Sequence, residues 1–305
     1  VEIIVDIDAV RLDRFLRRHL SGITQGIIQK HLRSGHIRCN GKRVEANHRL
    51  CKGDVITTPA FEDMKRPENP KPQAVNQQDL AFLKSLIMWE DDTLCIINKP
   101  AGLAVQGGTK TTRHLDGLLQ NYQRAQPHGK RYLLVHRLDR DTSGVWVVAK
   151  TPEMAKHLSH CFEQGSVQKT YWCIVNSKPV EARGIIDAPL MKNDHKKELM
   201  VVDFKRGKKA QTSYQLIKSF GPYAWLACTP LTGRTHQIRV HMQHLQTPIV
   251  GDGKYGTPSA DTLCLHARKI IFKDLEGSTL TFIAQPPKHI VSKLASFGIN
   301  WETYA

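Results

Sequence analysis

The sequence predicts an α+β chain in two parts: a small α/β block at 1–60, and from 80 to 305 a large, mainly antiparallel mixed β-sheet flanked by helices and loops. Three observations carry this. The stretch FEDMKRPENPKPQAVNQQD at 61–79 holds Pro67, Pro70 and Pro72 and has no apolar periodicity, so it reads as a stiff, extended linker. After it, strand-like apolar runs outnumber helical ones. The length of 305 residues suits two domains and needs no disulfide or metal to close a core.

In the first block, Leu12, Phe15, Leu16 and Leu20 recur at helical spacing between Arg14, Arg17, Arg18 and His19, giving an amphipathic helix over 11–20 with a basic outer face. TQGIIQKHLRSG follows with Thr24 as N-cap, Ile27, Ile28 and Leu32 as the buried stripe and Gly35 as the stop. Asn40-Gly41 between two short alternating runs signals a hairpin, and DVITT at 54–58 supplies another strand. The expectation is two helices followed by a small antiparallel sheet.

The second part opens with IMW and LCIIN flanking a charged turn, after which Pro100, Gly102 and Gly107-Gly108 keep the chain irregular. In RYLLVHRLDRDTSGVWVVAK, LLV and VWVVA are strand-like and the charged HRLDRDTSG between them cannot be core, so a loop presents charged side chains between two buried strands. PEMAKHLSHCFEQG reads as a helix burying Met154, Leu158, Cys161 and Phe162 and closed by Gly165. VQKTYWCIVNSK alternates as a strand, and further strands are expected at 211–218, 223–230, 263–272 and 279–283.

The charge is strongly positive: 44 Lys and Arg against 28 Asp and Glu, a net +16, of which the first block carries +5. Such an excess concentrates polyanions and favours a nucleic-acid partner over an acidic small molecule. No apolar run approaches the length of a bilayer span, and the acidic N-terminus VEIIVDIDAVRLD does not read as a targeting segment. The seven cysteines (39, 51, 95, 161, 173, 228, 264) are never closer than 12 residues and read as reduced small hydrophobes of a cytoplasmic protein, not as a disulfide framework or zinc site.

Asp139 and Asp141 are the candidate acids. They flank Arg140, with Arg137 two residues upstream of Asp139, so a cation at short range can hold a carboxylate ionised. On extended backbone they point to opposite sides, so one serves a site while the other fixes the turn, with Thr142 or Ser143 as its donors. Paired-carboxylate glycoside hydrolysis fits poorly. His236, His241 and His244 in THQIRVHMQH lack metal-ligand spacing and are expected together on the wall of an anion-binding cleft beside Arg234 and Arg239, and no phosphate-loop or dinucleotide motif is present, since Gly107-Gly108 before Thr109-Lys110 has the wrong spacing. No metal and no cofactor is expected.

Two resemblances follow from these strings. RLDRFLRRHL and the second helix running into SGHIRCNGKRVEANHRLCKGDVI resemble the S4-type RNA-binding domain over about 10–58. That resemblance implies RNA contact through Gln29, Lys30, Arg33, Ser34, His36 and Arg38, with Lys42 and Arg43 on the hairpin; on residue type alone Arg33, Lys42 and Arg43 also read as a solvated face. HRLDRDTSG at 136–144 resembles the signature of the ribosomal-large-subunit family of pseudouridine synthases. INKPAGLAVQGG, QKTYWCIV, LTGRTHQIRVHMQHLQTPIVGDGKYG and LCLHARKIIF agree in order, and the bulky Trp146 is a minor departure.

The family resemblance implies Asp139 as the catalytic aspartate, Tyr171 stacked against the target base, Arg239 paired with the aspartate, and Arg137 filling the space of the flipped uridine. Arg234, Thr235, His236 and Gln237 line the same cleft, and Arg234 competes with Arg239 as the ion-pair partner. The implied reaction breaks C1′–N1, joins C1′ to C5 and removes the C5 proton, with no net oxidation and no added group. Asp139 starts it by forming a covalent adduct or by ribose deprotonation. Tyr171 is a weak base that could assist the C5 proton. The expected partner is large-subunit ribosomal RNA, with no membrane and a monomeric enzyme. Competing readings are a synthase acting on transfer RNA, an inactive RNA-binding assembly factor, and a base-removing hydrolase.

Overall fold

The computed structural model describes residues 1–20, 22–61, 76–107, 113–126, 131–196, 198–257 and 259–304. The chain divides into two units, Val1–Ala74 and Val75–Ala305. Most of the expected linker, with Pro67, Pro70 and Pro72, lies outside the described residues, as do Gly108 and Thr109-Lys110.

In the first unit β1 (Glu2–Ile4) and β2 (Val10–Arg11) precede α1 (Leu12–His19) and α2 (Gln25–Arg33), and β3 (Arg38–Cys39), β4 (Arg49–Leu50) and β5 (Val55–Thr57) follow. The Thr24 hydroxyl accepts from the Ile27 amide and starts α2 as its residue type requires. Asp13, in the first turn of α1, is buried because Arg11 holds it bidentately and Gln25 donates to it, so the acid ties the two helices. Leu12, Phe15, Leu16, Ile28 and Leu32 close the core with Ile37, Leu50 and Ile56. Asn40 and Gly41 both have positive φ (49° and 74°), as a two-residue hairpin turn demands, although the return arm is a single bridge at Lys42. The sheet differs from the expectation of helices first and strands after: its order is β1-β5-β3, with β2 paired to β4 apart from it. VEIIVD gives no strand signal in the sequence because a three-residue strand carries too few alternations.

In the second unit α3 (Gln77–Leu86) starts inside the expected linker, because the Asn76 side chain caps the Gln78 and Asp79 amides. Then come β6 (Ile87–Glu90), β7 (Leu94–Lys99), α4 (Leu115–Arg124), β8 (Leu133–Leu134), β9 (Ser143–Ala149), α5 (Pro152–Glu163) and β10 (Gln168–Val175). They are followed by β11 (Arg183–Asp187), β12 (Leu190–Lys192), β13 (Met200–Val202), β14 (Gln211–Phe220) and β15 (Tyr223–Pro230). The unit ends with α6 (Gln237–His244), β16 (Leu265–Lys273), β17 (Thr279–Ile283) and α7 (Lys288–Ala295).

Ten strands form one sheet in the order β11-β14-β15-β10-β16-β9-β7-β6, with β17 on β16 and β8 on β9. Every pair is antiparallel except β16 with β9. Both faces of its middle are covered, so β9 is buried at all seven positions. Trp146 and Val148 pack with Cys95 and Ile97 against α3 and α4, whereas Val145 and Val147 pack with Leu94 and Ile96 against α5. Cys161 and Phe162, expected in the core, are half-buried, because their turn of α5 borders a cleft. QIRVHMQH, to which the sequence assigns no element, forms helix α6: its first six residues are all buried, polar ones included, so no amphipathic stripe marks it.

Candidate active site

The parallel β9–β16 contact sets the site. Gly144 pairs with Ala267, and Ala267 pairs with Tyr171 on β10, so the end of HRLDRDTSG and Tyr171 share one row across three strands. Only glycine fits there: its φ is 111°, and a Cβ would lie 2.2 Å from the Ala267 carbonyl oxygen.

Upstream, the loop is held through His136, by both its carbonyl and its ring. The Trp146 indole donates to the His136 carbonyl at 3.2 Å, and the Val147 amide donates to His136 Nε2 at 2.9 Å. The His136 ring, stacked on Phe162, is therefore neutral, and burial pushes it down to about 3. Lys99 is wholly buried and donates to the carbonyls of Pro100, Leu103 and Arg140. Burial lowers it to about 7 against the pull of Asp141 and Asp139, and three acceptors match the three protons of an ammonium. Ser143 Oγ lies 2.9 Å from His266 Nδ1, while His266 Nε2 faces the Ala284 carbonyl, so Nε2 carries the proton and Nδ1 accepts.

With its backbone fixed, the loop divides its charges. Asp139 lines a cleft of about 680 Å³ with Arg137, Tyr171 and His236 among its walls. Asp141 does not line it; it pairs with Arg140 at 2.9 Å. The expected donors to Asp141 are otherwise engaged: the Thr142 amide bonds the Asp139 carbonyl and Ser143 bonds His266. Arg137 is exposed on the cleft wall and makes no ion pair or hydrogen bond with any described residue.

Asp139 Oδ2 faces Arg239 Nη1 at 3.9 Å and His236 Nε2 at 3.8 Å. Arg239 comes from the first turn of α6, is 4% exposed, and gives its short bonds to Asp252, at 2.8 and 2.6 Å. Burial lowers the Arg239 guanidinium, and the Asp252 and Asp139 carboxylates more than restore it. The Lys254 and Tyr255 amides also donate to Asp252. His236 caps α6 with left-handed backbone, φ 54°, which turns its ring into the cleft. Its Nδ1 is 2.6 Å from the Tyr255 hydroxyl, which accepts from the Met200 amide. Tyr255 can therefore donate to Nδ1, directing the Nε2 proton at Asp139. Burial lowers His236 and Asp139 opposes this. Burial and the Asp139 charge raise the Tyr171 phenol far above its ordinary value.

The remaining expected residues separate. Arg234 and Thr235 are exposed on the cleft rim, and Arg234 Nε bonds the Lys209 carbonyl, so it is not the partner of Asp139. Gln237 lines the cleft but its amide is consumed by Thr232, the Arg234 amide, the Gln211 carbonyl and Thr212. Of the three histidines only His236 reaches the cleft, correcting their shared assignment to its wall. His241 is buried between Thr212 and the Ala188 carbonyl, and His244 is exposed beside Phe204. Asp252, Tyr255, Lys99 and His266 were not singled out in the sequence. Asp252 and Tyr255 lie in the VGDGKYG string, and Lys99 is a cation ending an apolar strand, but neither pattern names a partner.

In the first unit, Lys30, Arg33, Ser34, His36, Arg38, Lys42 and Arg43 are exposed and Gln29 is half-buried. Arg38 donates to the Gly35 and Gly41 carbonyls, which joins the end of α2 to the hairpin turn. Ser34 Oγ bonds His36 Nδ1 at 3.0 Å.

A cleft with a carboxylate between a guanidinium and an imidazole, an aromatic wall and an arginine that has no partner among the described residues suits an enzyme that works on a base withdrawn from RNA. Residues 93–244 match the RNA pseudouridylate synthase family and residues 10–56 match the S4 domain. The ribosomal large subunit pseudouridine synthase C of Vibrio cholerae is 35% identical over 281 residues, 89% of this chain and 88% of that protein. The enzyme of the same name from Escherichia coli is 35% identical over 86% of this chain and 81% of its own. The structure of human RNA pseudouridylate synthase domain containing 4 superposes with a TM-score of 0.62 at 29% identity, covering 72% of this chain and 97% of that one. The chain belongs to the RNA pseudouridine synthase family and carries an N-terminal S4 RNA-binding domain. No helix among the described residues is long and apolar enough to cross a membrane.

Proposed function

We propose that this enzyme isomerises specific uridines of large-subunit ribosomal RNA to pseudouridine, with Asp139 as the carboxylate that begins the reaction. The observation that supports it most is the poise of Asp139: its oxygen faces a guanidinium already neutralised by Asp252, so it is held in place without being consumed by a short ion pair. The named large-subunit enzymes, alike over nearly the whole chain, support this substrate.

In this reading Arg137, which has no partner among the described residues, fills the stack left by the flipped uridine. Tyr171 stacks on the uracil. Because its phenol stays protonated far above neutral pH, it acts there as a stacking and hydrogen-bonding group and not as the base that removes the C5 proton. Arg239 and His236 orient Asp139; Arg234, Thr235 and Gln237 shape the rim. The C1′–N1 bond breaks, the uracil turns, C5 bonds C1′, and the C5 proton is lost as N1 gains one. Every atom and electron is conserved without a cofactor. The exposed basic residues of α2 and the hairpin hold RNA phosphates. The enzyme works as a monomer in the cytoplasm.

Large-subunit RNA lacking modifications, incubated with the enzyme, should acquire pseudouridines detectable by chemical modification and reverse transcription. Asp139→Asn should bind the same RNA and release tritium from 5-tritiated uridine at least about a thousandfold more slowly. Residual turnover above about a tenth of wild type would remove Asp139 from the reaction. Labelling confined to transfer RNA would replace the substrate.

A further inference from the structure

The first unit holds a second cluster of chemistry-bearing side chains that the isomerisation does not use. Cys39 ends β3, His48 lies in the turn before β4, and Asp54 immediately precedes β5; one ligand atom from each lies within 4.8 Å of the others. We infer that Cys39, His48 and Asp54 form a binding site for a thiophilic divalent cation, zinc by its chemistry.

Thiolate, imidazole and carboxylate together suit zinc and are the wrong set for magnesium or calcium, which take oxygen ligands. Zinc–ligand bonds of about 2.0–2.3 Å place tetrahedral donor atoms about 3.4–3.6 Å apart, so closing the site needs side-chain shifts of about an ångström. The donors are prepared unequally. The Asp54 carboxylate is aimed by the Asn40 side chain at 2.9 Å and the Cys51 amide at 2.7 Å, the outer support that fixes a ligating carboxylate. The His48 ring has no hydrogen-bond partner among the described residues, so its nitrogens are free to ligate. Cys39 is 4% exposed, which keeps a bound metal from competing water on that side. On binding, the Cys39 thiol proton leaves to solvent, a sulfur–metal bond replaces it, and no oxidant is involved. Three protein ligands leave the fourth position open.

The consequence is mechanical. The ion would join β3, the turn before β4 and the head of β5, all held here by short strands, and would brace the Asn40-Gly41 turn between Arg38 and Lys42. This does not depend on the isomerase reading, because none of the three residues lines the cleft.

The test uses the full-length protein freed of metal by chelation. Wild type should take up one equivalent of zinc and gain thermal stability with it. Cobalt in its place should show a sulfur-to-cobalt charge-transfer band. Cys39→Ser and His48→Ala should each weaken binding by more than about a hundredfold. Cys51→Ser, which removes the exposed neighbouring thiol, should retain it. The inference is overturned if wild type takes up no stoichiometric zinc, or if binding persists in both Cys39→Ser and His48→Ala. It is equally overturned if binding disappears only in Cys51→Ser, which would mean capture by a surface thiol. Tritium release from a minimal stem-loop, measured in parallel, separates failure of this site from failure of the isomerase reading.

Discussion

The segments 136–144 and 232–241 both line the cleft, yet they are built in opposite ways. In the first, Lys99 and the Trp146 indole hold the carbonyls of Arg140 and His136, the His136 and Ser143 side chains are tied down at its two ends, and the side chains of Arg137 and Asp139 are left for the cleft. In the second, the side chains themselves are the fasteners: Gln237 binds four groups, Arg239 is committed to Asp252, and His241 bridges a hydroxyl and a carbonyl. A polar residue near a site is free to act only when something else does the holding.

The largest way to break this contrast is to remove the backbone fit at Gly144. Gly144→Ala must place a methyl against the Ala267 backbone at positive φ, so a loss of about 3 kcal/mol or more of unfolding free energy is expected by denaturant titration. Loss below about 1 kcal/mol would mean that the β9–β16 row can open.

Asp252→Asn attacks the other segment. It keeps the shape but leaves the buried Arg239 charge without its short partner, so Arg239 closes on Asp139. Single-turnover kinetics should show kcat reduced about a hundredfold, equivalent to about 3 kcal/mol, with KM changed much less. An equal rise in KM would place Asp252 in substrate binding instead.

A pH test sharpens the comparison at the loop's far end. Burial pushes His266 from its ordinary 6.5 down to about 4, with the Arg268 charge adding to it and the Ala284 carbonyl opposing it, so the ring between Ser143 and Ala284 is neutral. A depressed folded value means the contribution is full above about pH 6.5 and declines as pH falls toward about 4. Unfolding free energy should lose about 2 kcal/mol from this group by about pH 4.5, and His266→Asn should flatten that part of the curve.

The smallest effect is expected from the first unit, none of whose described residues lines the cleft. Deleting residues 1–60 should raise KM for structured ribosomal RNA more than it lowers kcat, and each lost phosphate contact should reduce the log–log salt slope by about 0.7–0.9. An unchanged slope would make the basic face of the first unit a solvated surface only.

Asp139 and Arg137 were readable because their segment is a contiguous charged string between two apolar strands, a pattern local in sequence. Helix α6 was not, since its buried residues mix polar and apolar all round and the partners of the polar ones, Asp252, Thr212 and Ala188, are 13 to 53 residues away. The expectation that the three histidines share a cleft failed for the same reason: spacing along a chain does not say which way a fully buried helix faces.

The sequence by itself determined the charge that selects a polyanion, the α+β class, the family through its signature strings, and the position of the candidate catalytic acid. These are properties of composition and short-range pattern. Tertiary structure alone decided that Arg239 belongs first to Asp252, that Lys99 and His266 anchor the loop from beneath, that Arg137 has no partner among the described residues, and that Cys39 lies near His48 and Asp54. Each of these is a contact between residues distant in sequence or a group left over once such contacts are made, and burial fixes which polar groups must be satisfied by whatever the fold brings near.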